Sequence, residues 1–171
     1  MIYLAYVSGF DISNNQLDLS QSGPGFTAIS IMASNKGSVL RNSLLSTDNT
    51  TFNMGIYVGG SPIDPESDPI LIQNNLINDF YVGIYCVDSD TEIFNNTIVL
   101  SNTGIIDESY TSADIRYNII AYNTFGITGD GKTTVDFNAF FSNSENYTNC
   151  VAGDDNIFDD PKFIDMETGD F

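Results

Sequence analysis

The sequence has no histidine and no tryptophan, and its five Lys and Arg residues face 23 Asp and Glu residues, for a net charge of −18. Without histidine the chain lacks a Ser-His-Asp triad, a histidine general base and histidine metal ligands. The shortage of cations argues against nucleic acid and against anionic lipid surfaces as partners. Divalent cations, cationic partners and neutral sugars remain compatible with this charge.

The chain also has few cysteines and no long apolar run. Cys86 and Cys150 are the two cysteines, too few for a small disulfide scaffold. No stretch of about 18 apolar residues occurs, so membrane insertion is not predicted. The first residues lack a basic segment, so they do not resemble a signal peptide. Hydrophobic residues make up 42% of the 171 positions, which is typical of one domain with a packed core.

A six-residue pattern of aliphatic, any, any, Asn, any, apolar recurs along the chain. Its copies are 12–17, 39–44, 72–77, 93–98, 115–120 and 135–140, and their Asn residues are 27, 33, 21, 22 and 20 positions apart. Gly-Ile pairs recur in phase with it at 55–56, 83–84, 104–105 and 126–127, and Ala28-Ile29 is a weaker copy. Self-similarity at such a period indicates a stacked array of repeats.

The repeats favour β-strands over helix pairs. β-Branched and aromatic residues occupy the periodic positions, and Gly and Asn recur inside each unit, where they would destabilise a helix. Asn also tolerates the left-handed backbone of a sharp bend, and its amide can bond to the Asn of the next coil. We therefore predict an all-β fold: a single-stranded right-handed parallel β-helix (solenoid) of about six to seven coils, with three short strands per coil.

Strand alternation predicts three inward columns of side chains. The first is Ile29, Ile56, Ile84, Ile105 and Ile127; the second is Val39, Ile72, Ile93, Ile115 and Val135; the third is Leu44, Ile77, Ile98, Ile120 and Phe140. Cys86, two residues after Ile84, is expected to point inward. Cys150 follows about three coils later, roughly 14 Å along the axis, so both cysteines are expected to be free thiols.

The Gly-Ile and Asn-x-Ile units, together with the ending 156–165 followed by Gly169-Asp170-Phe171, resemble the pectin-lyase-like superfamily of parallel β-helix repeat proteins. The resemblance covers nearly the whole chain and implies the fold and an extracellular or cell-surface location. It does not imply one activity, because the superfamily includes lyases, hydrolases, epimerases, tailspikes and non-enzymatic surface proteins.

The resemblance also bears on the extent of the domain. We predict one domain over 1–171, with a projecting-turn insertion at 53–69 and a closing segment at 154–171. Relatives with the same ending usually continue further, and solenoid ends need polar caps. The chain is therefore expected to be a fragment of a longer chain, or a protein whose uncapped coil ends allow end-to-end self-association.

The outer side of the first-strand sheet is the predicted glycan-binding face, as in the relatives. Its residues, each following an inward Ile, are Ser30, Tyr57, Tyr85, Ile106 and Thr128. Tyr57 and Tyr85 fall in adjacent coils at a spacing of ~4.8 Å, where they are expected to form a flat platform for a sugar ring. The alternative is an ordinary cross-strand aromatic pair that stabilises the sheet.

Acidic residues follow the first strand in successive coils. They are Asp64, Glu66 and Asp68, then Asp88, Asp90 and Glu92, then Asp107, Glu108 and Asp114, then Asp130. Equivalent turns stack in a solenoid, so these carboxylates are expected to form one outer stripe, for which calcium with its oxygen ligands is the natural partner. The first six form the predicted calcium site. The alternative is a solvated acidic face that binds no metal.

The leading hypothesis is a non-catalytic β-helix of an exported or surface protein that contacts carbohydrate. A polysaccharide-degrading enzyme, either a lyase or a glycoside hydrolase and perhaps calcium-dependent, is the alternative, and a structural spacer is the second alternative. A lyase needs convergent cations, but Lys36, Arg41, Arg116, Lys132 and Lys162 are scattered over different coils. The Asn-Thr-Asp and Gly-His-Gly motifs of polygalacturonase-like relatives are absent, so no catalytic residue is assigned.

Overall fold

The computed structural model describes residues 1–20, 22–60, 68–109 and 113–163, and its strands, numbered in chain order, form three sheets. The first sheet contains β1 (Ile2–Ala5), β4 (Thr27–Met32), β7 (Met54–Gly59), β10 (Val82–Val87), β13 (Thr103–Glu108), β16 (Phe125–Thr128) and β19 (Glu145–Thr148). The second contains β2 (Ser8–Ser13), β5 (Asn35–Leu40), β8 (Ile70–Gln73), β11 (Thr91–Phe94), β14 (Asp114–Arg116), β17 (Thr134–Asp136) and β20 (Val151–Ala152). The third contains β3 (Gln16–Asp18), β6 (Ser43–Leu45), β9 (Leu76–Asn78), β12 (Thr97–Val99), β15 (Ile119–Ala121) and β18 (Ala139–Phe141).

Consecutive strands of the chain belong to different sheets, and each strand pairs in parallel with its equivalent one coil away. The chain therefore forms a right-handed parallel β-helix with sheets of seven, seven and six strands, which confirms the predicted fold. None of the described residues belongs to a helix that is long and apolar enough to cross a membrane.

The interior consists of the three predicted columns. Ile29, Ile56, Ile84, Ile105 and Ile127 are successive partners in the first sheet, and all five are 0% exposed. The second and third predicted columns are in register in the same way. Because each side chain lies over its counterpart in the next coil, the three columns close into one dry core.

An asparagine ladder lines the bend between the second and third sheets. It contains Asn15, Asn42, Asn75, Asn96, Asn118, Asn138 and Asn156. In each step the backbone N–H and side-chain Nδ2 of one Asn donate to Oδ1 of the next, as Asn96 does to Asn118 at 2.9 and 3.0 Å. The same Nδ2 of Asn96 also donates to the carbonyl of Ile72 at 2.9 Å. These bonds satisfy amides that are almost fully buried.

The ladder asparagines do not themselves adopt the left-handed backbone that we predicted for them. The residue before each of the first six does so: Asn14, Arg41, Asn74, Asn95, Tyr117 and Phe137 have φ between 52° and 59°. The left-handed residue turns the chain, and its side chain projects into solvent while the next side chain points inward to the ladder. We call these six exposed residues the outer bend column.

The Gly-Ile repeat has a steric cause. A Cβ atom on Gly83 would lie 2.6 Å from the carbonyl oxygen of Gly104 in the next coil and 2.7 Å from Cγ2 of Ile98. Gly55 and Gly104 are confined in the same way by the glycine that follows them in the stack. The backbones of neighbouring coils therefore approach each other closely at these glycines. Only a residue without a Cβ atom leaves room there for the hydrogen bonds between the strands.

We expect Gly83→Ala to destabilise the fold by about 1–3 kcal/mol, because a backbone carbonyl cannot move aside for the added methyl group. Urea unfolding followed by circular dichroism measures the change. Gly23→Ala is the matched control, since its Cβ would meet its nearest neighbour, Phe26, at an ordinary 3.8 Å. Equal stability of the two variants would show that the coils are not as closely stacked as described.

Candidate functional site

The residues predicted for the glycan face lie in one row across the first sheet. Ser30 pairs with Tyr57, Tyr57 with Tyr85, Tyr85 with Ile106, and Ile106 with Thr128. All five are partly exposed, whereas the residues on either side of Tyr85 are fully buried or belong to the interior. The row is therefore part of the outward-facing surface of the first sheet, and its binding of carbohydrate remains a prediction.

The two tyrosine rings do not form the flat platform that we predicted. Their centroids are 5.7 Å apart, and the ring planes meet at 77°, an edge-to-face arrangement. This geometry places the positive edge of one ring against the negative face of the other, which favours it over face-to-face stacking. Tyr57 also lies along its strand over Gly59, where its hydroxyl occupies the space that a Cβ would need. The pair thus offers a ligand one ring face and one ring edge in place of two coplanar faces.

Glu108 belongs to this surface, although its position in the sequence suggested only the acidic stripe. The Tyr85 hydroxyl donates to Oε2 of Glu108 at 2.6 Å, across one coil. This hydrogen bond, followed by burial and by the charge of Glu108, raises the pKa of Tyr85 to about 12. The carboxylate is thereby fixed beside the aromatic pair with its remaining lone pairs facing solvent.

The predicted calcium residues are only partly described. Asp64 and Glu66 lie outside the described residues, and Asp68 is exposed and forms an ion pair with Lys36 at 2.8 Å. Among the described residues no group of three or more Cys, Asp or Glu is placed to hold a metal ion, so Asp88, Asp90 and Glu92 are not brought together as a chelating set. Calcium binding by the full predicted set stays a prediction.

Asp107 is not part of an outer stripe, because it is 0% exposed. It occupies the inward position that Val58 and Cys86 hold in the two preceding coils. Its Oδ2 accepts from the Thr133 hydroxyl at 2.8 Å and from the Ala113 N–H at 3.2 Å. This carboxylate therefore replaces apolar packing in one coil and fixes the turn that follows.

Both cysteines are free, as predicted. Burial raises the pKa of the Cys86 thiol to about 12 and that of the half-buried Cys150 thiol to about 11. At neutral pH neither is a thiolate, so neither is a competent nucleophile.

A second polar cluster lies at the bend after the third sheet, where sequence reasoning assigned no site. Asp48 accepts from the backbone N–H and the hydroxyl of both Thr50 and Thr51, at distances of 2.6–3.2 Å. Asn49 reaches across to the carbonyl of Leu100 at 2.8 Å, which holds this loop against later coils.

The two carboxyl groups of this cluster have opposite pKa shifts. The threonine hydrogen bonds lower the pKa of Asp48 to about 2, whereas burial and then the charge of Asp48 raise the pKa of Asp79. Phe52 and Tyr81 form a ring pair at 5.0 Å beside them. No sequence pattern indicated this cluster, because the two carboxyls come from loops of different length in neighbouring coils.

The three parallel sheets, the stacked core and the asparagine ladder define a parallel β-helix repeat protein. Residues 1–168 match the family described as periplasmic copper-binding protein (NosD), and the chain belongs to this family. No curated protein sequence and no solved structure matches the chain significantly. The family description places its members in the periplasm, which agrees at a coarse level with the predicted location outside the cytoplasm.

The Tyr85–Glu108 hydrogen bond predicts a specific pH dependence. A phenol whose pKa is raised on folding stabilises the native state fully below its unfolded pKa of about 10, and this stabilisation is lost as the pH rises towards about 12. We therefore expect wild type to be more stable than Tyr85→Phe at pH 8 and to have lost about half of that advantage at pH 11 in urea unfolding.

Glu108→Gln is the matched variant, because it keeps an acceptor oxygen but removes the negative charge. The loss of stability at high pH should be smaller in Glu108→Gln than in wild type. A stability difference between wild type and Tyr85→Phe that is equal at pH 8 and pH 11 would contradict the hydrogen bond.

Proposed function

We propose that this chain is a non-catalytic β-helix that acts outside the cytoplasm and contacts carbohydrate along the outer face of the first sheet. The family supports the location, since its description is periplasmic. The observation that carries the carbohydrate contact is the Tyr57–Tyr85–Glu108 group, in which a ring face lies beside a fixed carboxylate. Aromatic faces stack on the apolar side of sugars, and carboxylates accept hydrogen bonds from sugar hydroxyls.

The rest of the row suits the same ligand. Hydroxyl groups flank the aromatic pair on both sides. Ser30 lies one coil from Tyr57, roughly 5 Å, and Thr128 lies two coils from Tyr85, roughly 10 Å. The whole chain carries a net charge of −18, which favours neutral sugars over polyuronates. A polyanion would also find few cations to bind, because three of the five, Lys36, Arg116 and Lys162, already form ion pairs with Asp68, Asp114 and Asp160.

The described residues of this chain do not fit a copper centre, although the family description mentions copper. Copper sites in proteins use imidazole, thiolate and thioether ligands. The chain has no histidine, and its Cys86 thiol is fully buried. Met32 pairs with Gly59, whereas Met54 pairs with Thr27 at the opposite end of the same two strands. These donors do not converge, so no part of the proposed function is assigned to copper.

Glycoside hydrolysis is the second candidate, and the Asp48–Asp79 cluster is the observation that favours it. Glycosidases need one carboxyl that stays protonated as the acid and a second that stays ionised. Asp79 is half-buried and has a raised pKa, as the acid requires. Asp48 is held ionised by four hydrogen bonds, as the second carboxyl requires. The Phe52–Tyr81 ring pair provides an adjacent stacking surface.

The carbohydrate contact is tested with immobilised neutral polysaccharides and the variants Tyr57→Ala and Tyr85→Ala. We expect wild type to be retained and each variant to bind at least tenfold more weakly, because an aromatic contact is worth about 1–3 kcal/mol. Glu108→Gln should weaken binding less than either alanine variant. Retention of the double alanine variant at wild-type strength would refute the proposal.

An assay for new reducing ends separates the two candidates. A non-catalytic protein releases none from the polysaccharides that it binds. Hydrolysis by wild type that falls by at least about 100-fold in Asp79→Asn would establish the enzyme instead. Asp130→Asn is the control, because Asp130, like Asp48, accepts hydrogen bonds from its own turn but lies in another part of the solenoid.

A further inference from the structure

The first sheet carries negative charge on its surface and no positive charge. None of its seven described strands contains Lys or Arg, whereas Glu108 and Glu145 are exposed in it. Lys36 and Arg116 belong to strands of the second sheet and are paired there with acids. The surface around the two tyrosines therefore attracts cations and repels anions.

The hydrogen-bonding capacity of the Tyr85–Glu108 pair is one-sided. Tyr85 has one hydroxyl proton, and it donates this proton to Oε2 of Glu108 at 2.6 Å. The phenol oxygen then keeps only acceptor capacity, and an ionised carboxylate has only acceptors. The β10 backbone is bonded to a strand on each side and adds no free donor. The pair thus suits a ligand group that donates and need not accept.

The geometry of the two rings favours a compact cation over an extended flat ligand. The ring planes of Tyr57 and Tyr85 meet at 77°, so the pair presents one ring face. A tyrosine face is electron-rich and attracts a cation that lies within about 6 Å of the ring centroid. The Glu108 carboxylate lies one hydrogen bond from the hydroxyl of Tyr85, so a single cationic group can meet both.

The neighbours of the carboxylate on the sheet are apolar. Val87 is the register partner of Glu108, and Ile106 lies between Glu108 and the row of tyrosines as the partner of Tyr85. Apolar neighbours displace water from one side of the carboxylate, which strengthens its attraction for an opposite charge. A protonated primary amine has the required properties, because it carries a positive charge and three N–H donors and has no acceptor.

We propose that the Tyr57–Tyr85–Glu108 group binds the protonated primary amine of an amino sugar, so that the first sheet recognises a deacylated, cationic glycan. This inference rests on the proposed carbohydrate contact and narrows its ligand class. The sugar ring of the same unit remains free to contact the hydroxyls of Ser30 and Thr128 in the same row.

The test compares the glucosamine hexamer with the N-acetylglucosamine hexamer, which has the same linkage but no charge on nitrogen. At pH 5.5 and low ionic strength, where the amines are mostly protonated, we expect wild type to bind the glucosamine hexamer at least tenfold more tightly in calorimetric titrations, because hydrogen bonds between charged partners are the stronger ones. At pH 9 the amines are neutral, and the preference of wild type should disappear. This second readout requires no variant.

Glu108→Gln keeps an acceptor oxygen and removes the charge. Its affinity for the glucosamine hexamer should fall at least tenfold at pH 5.5, while its affinity for the N-acetylated hexamer stays within about threefold of wild type. Glu145→Gln is the matched control, because it removes one exposed charge from the same sheet at a position in register with Phe125 and not with the tyrosines. It should bind both hexamers as wild type does.

The other outcomes are distinguishable. Equal affinity of wild type for the two hexamers, or a preference that persists at pH 9, would overturn this inference and leave the proposed function standing. Equal losses in Glu108→Gln and Glu145→Gln would assign the attraction to the overall charge and overturn it too. Tighter binding of hexalysine than of the glucosamine hexamer would assign the site to a cationic peptide. Absence of binding to either hexamer and to neutral polysaccharides would overturn both proposals.

Discussion

The buried asparagine ladder is the constraint on which the remaining structure depends. An amide removed from water without partners costs about 1–3 kcal/mol, and each ladder asparagine avoids that cost only if the next one lies directly above it. A slip of one residue would leave these amides unpaired and would also turn every inward side chain outward. Steps between 18 and 33 residues are tolerated because the extra residues are placed in the turns and not in the strands.

Sequence periodicity predicted the core because the strand alternation and the stacking follow from backbone geometry alone. The same rule places Asp107 inside, two residues after Ile105, as it places Cys86 two residues after Ile84. Asp107 was expected outside because it was assigned to the stacked turns after the first strand, but it lies within β13, where the register places it inside. The hydrogen bonds from Thr133 and Ala113 that permit its burial come from another coil and a turn, which no local pattern reveals.

The candidate site was less predictable than the fold, because side-chain orientation does not follow from register. Register placed Tyr57 beside Tyr85 correctly, but the 77° angle between the rings depends on the Glu108 hydrogen bond and on the space above Gly59. The offset of one residue between the left-handed backbone and the ladder was also missed. That offset matters, because it places Tyr117 and Phe137 in the left-handed position, where their side chains are exposed.

Magnitudes argue that the Tyr117–Phe137 stack is not a stabilising device. A bulky residue in the left-handed region costs roughly 1–2 kcal/mol, so two such residues cost about 2–4 kcal/mol. An aromatic pair returns about 0.5–1.5 kcal/mol beyond its burial, and these rings remain largely exposed.

The acidic composition, in contrast, has an explanation within the fold. Asp18, Asp48, Asp130 and Asp160 each accept a hydrogen bond from the backbone N–H two residues later, which closes a turn. The pKa of each of these carboxyls is lowered by the hydrogen bonds it receives. Their contribution to stability is therefore present above the unfolded pKa near 4 and is lost as the pH falls through the lower folded values. These four of the 23 acids are thus turn residues of the solenoid, and a carboxylate in such a turn is not by itself evidence for a bound cation.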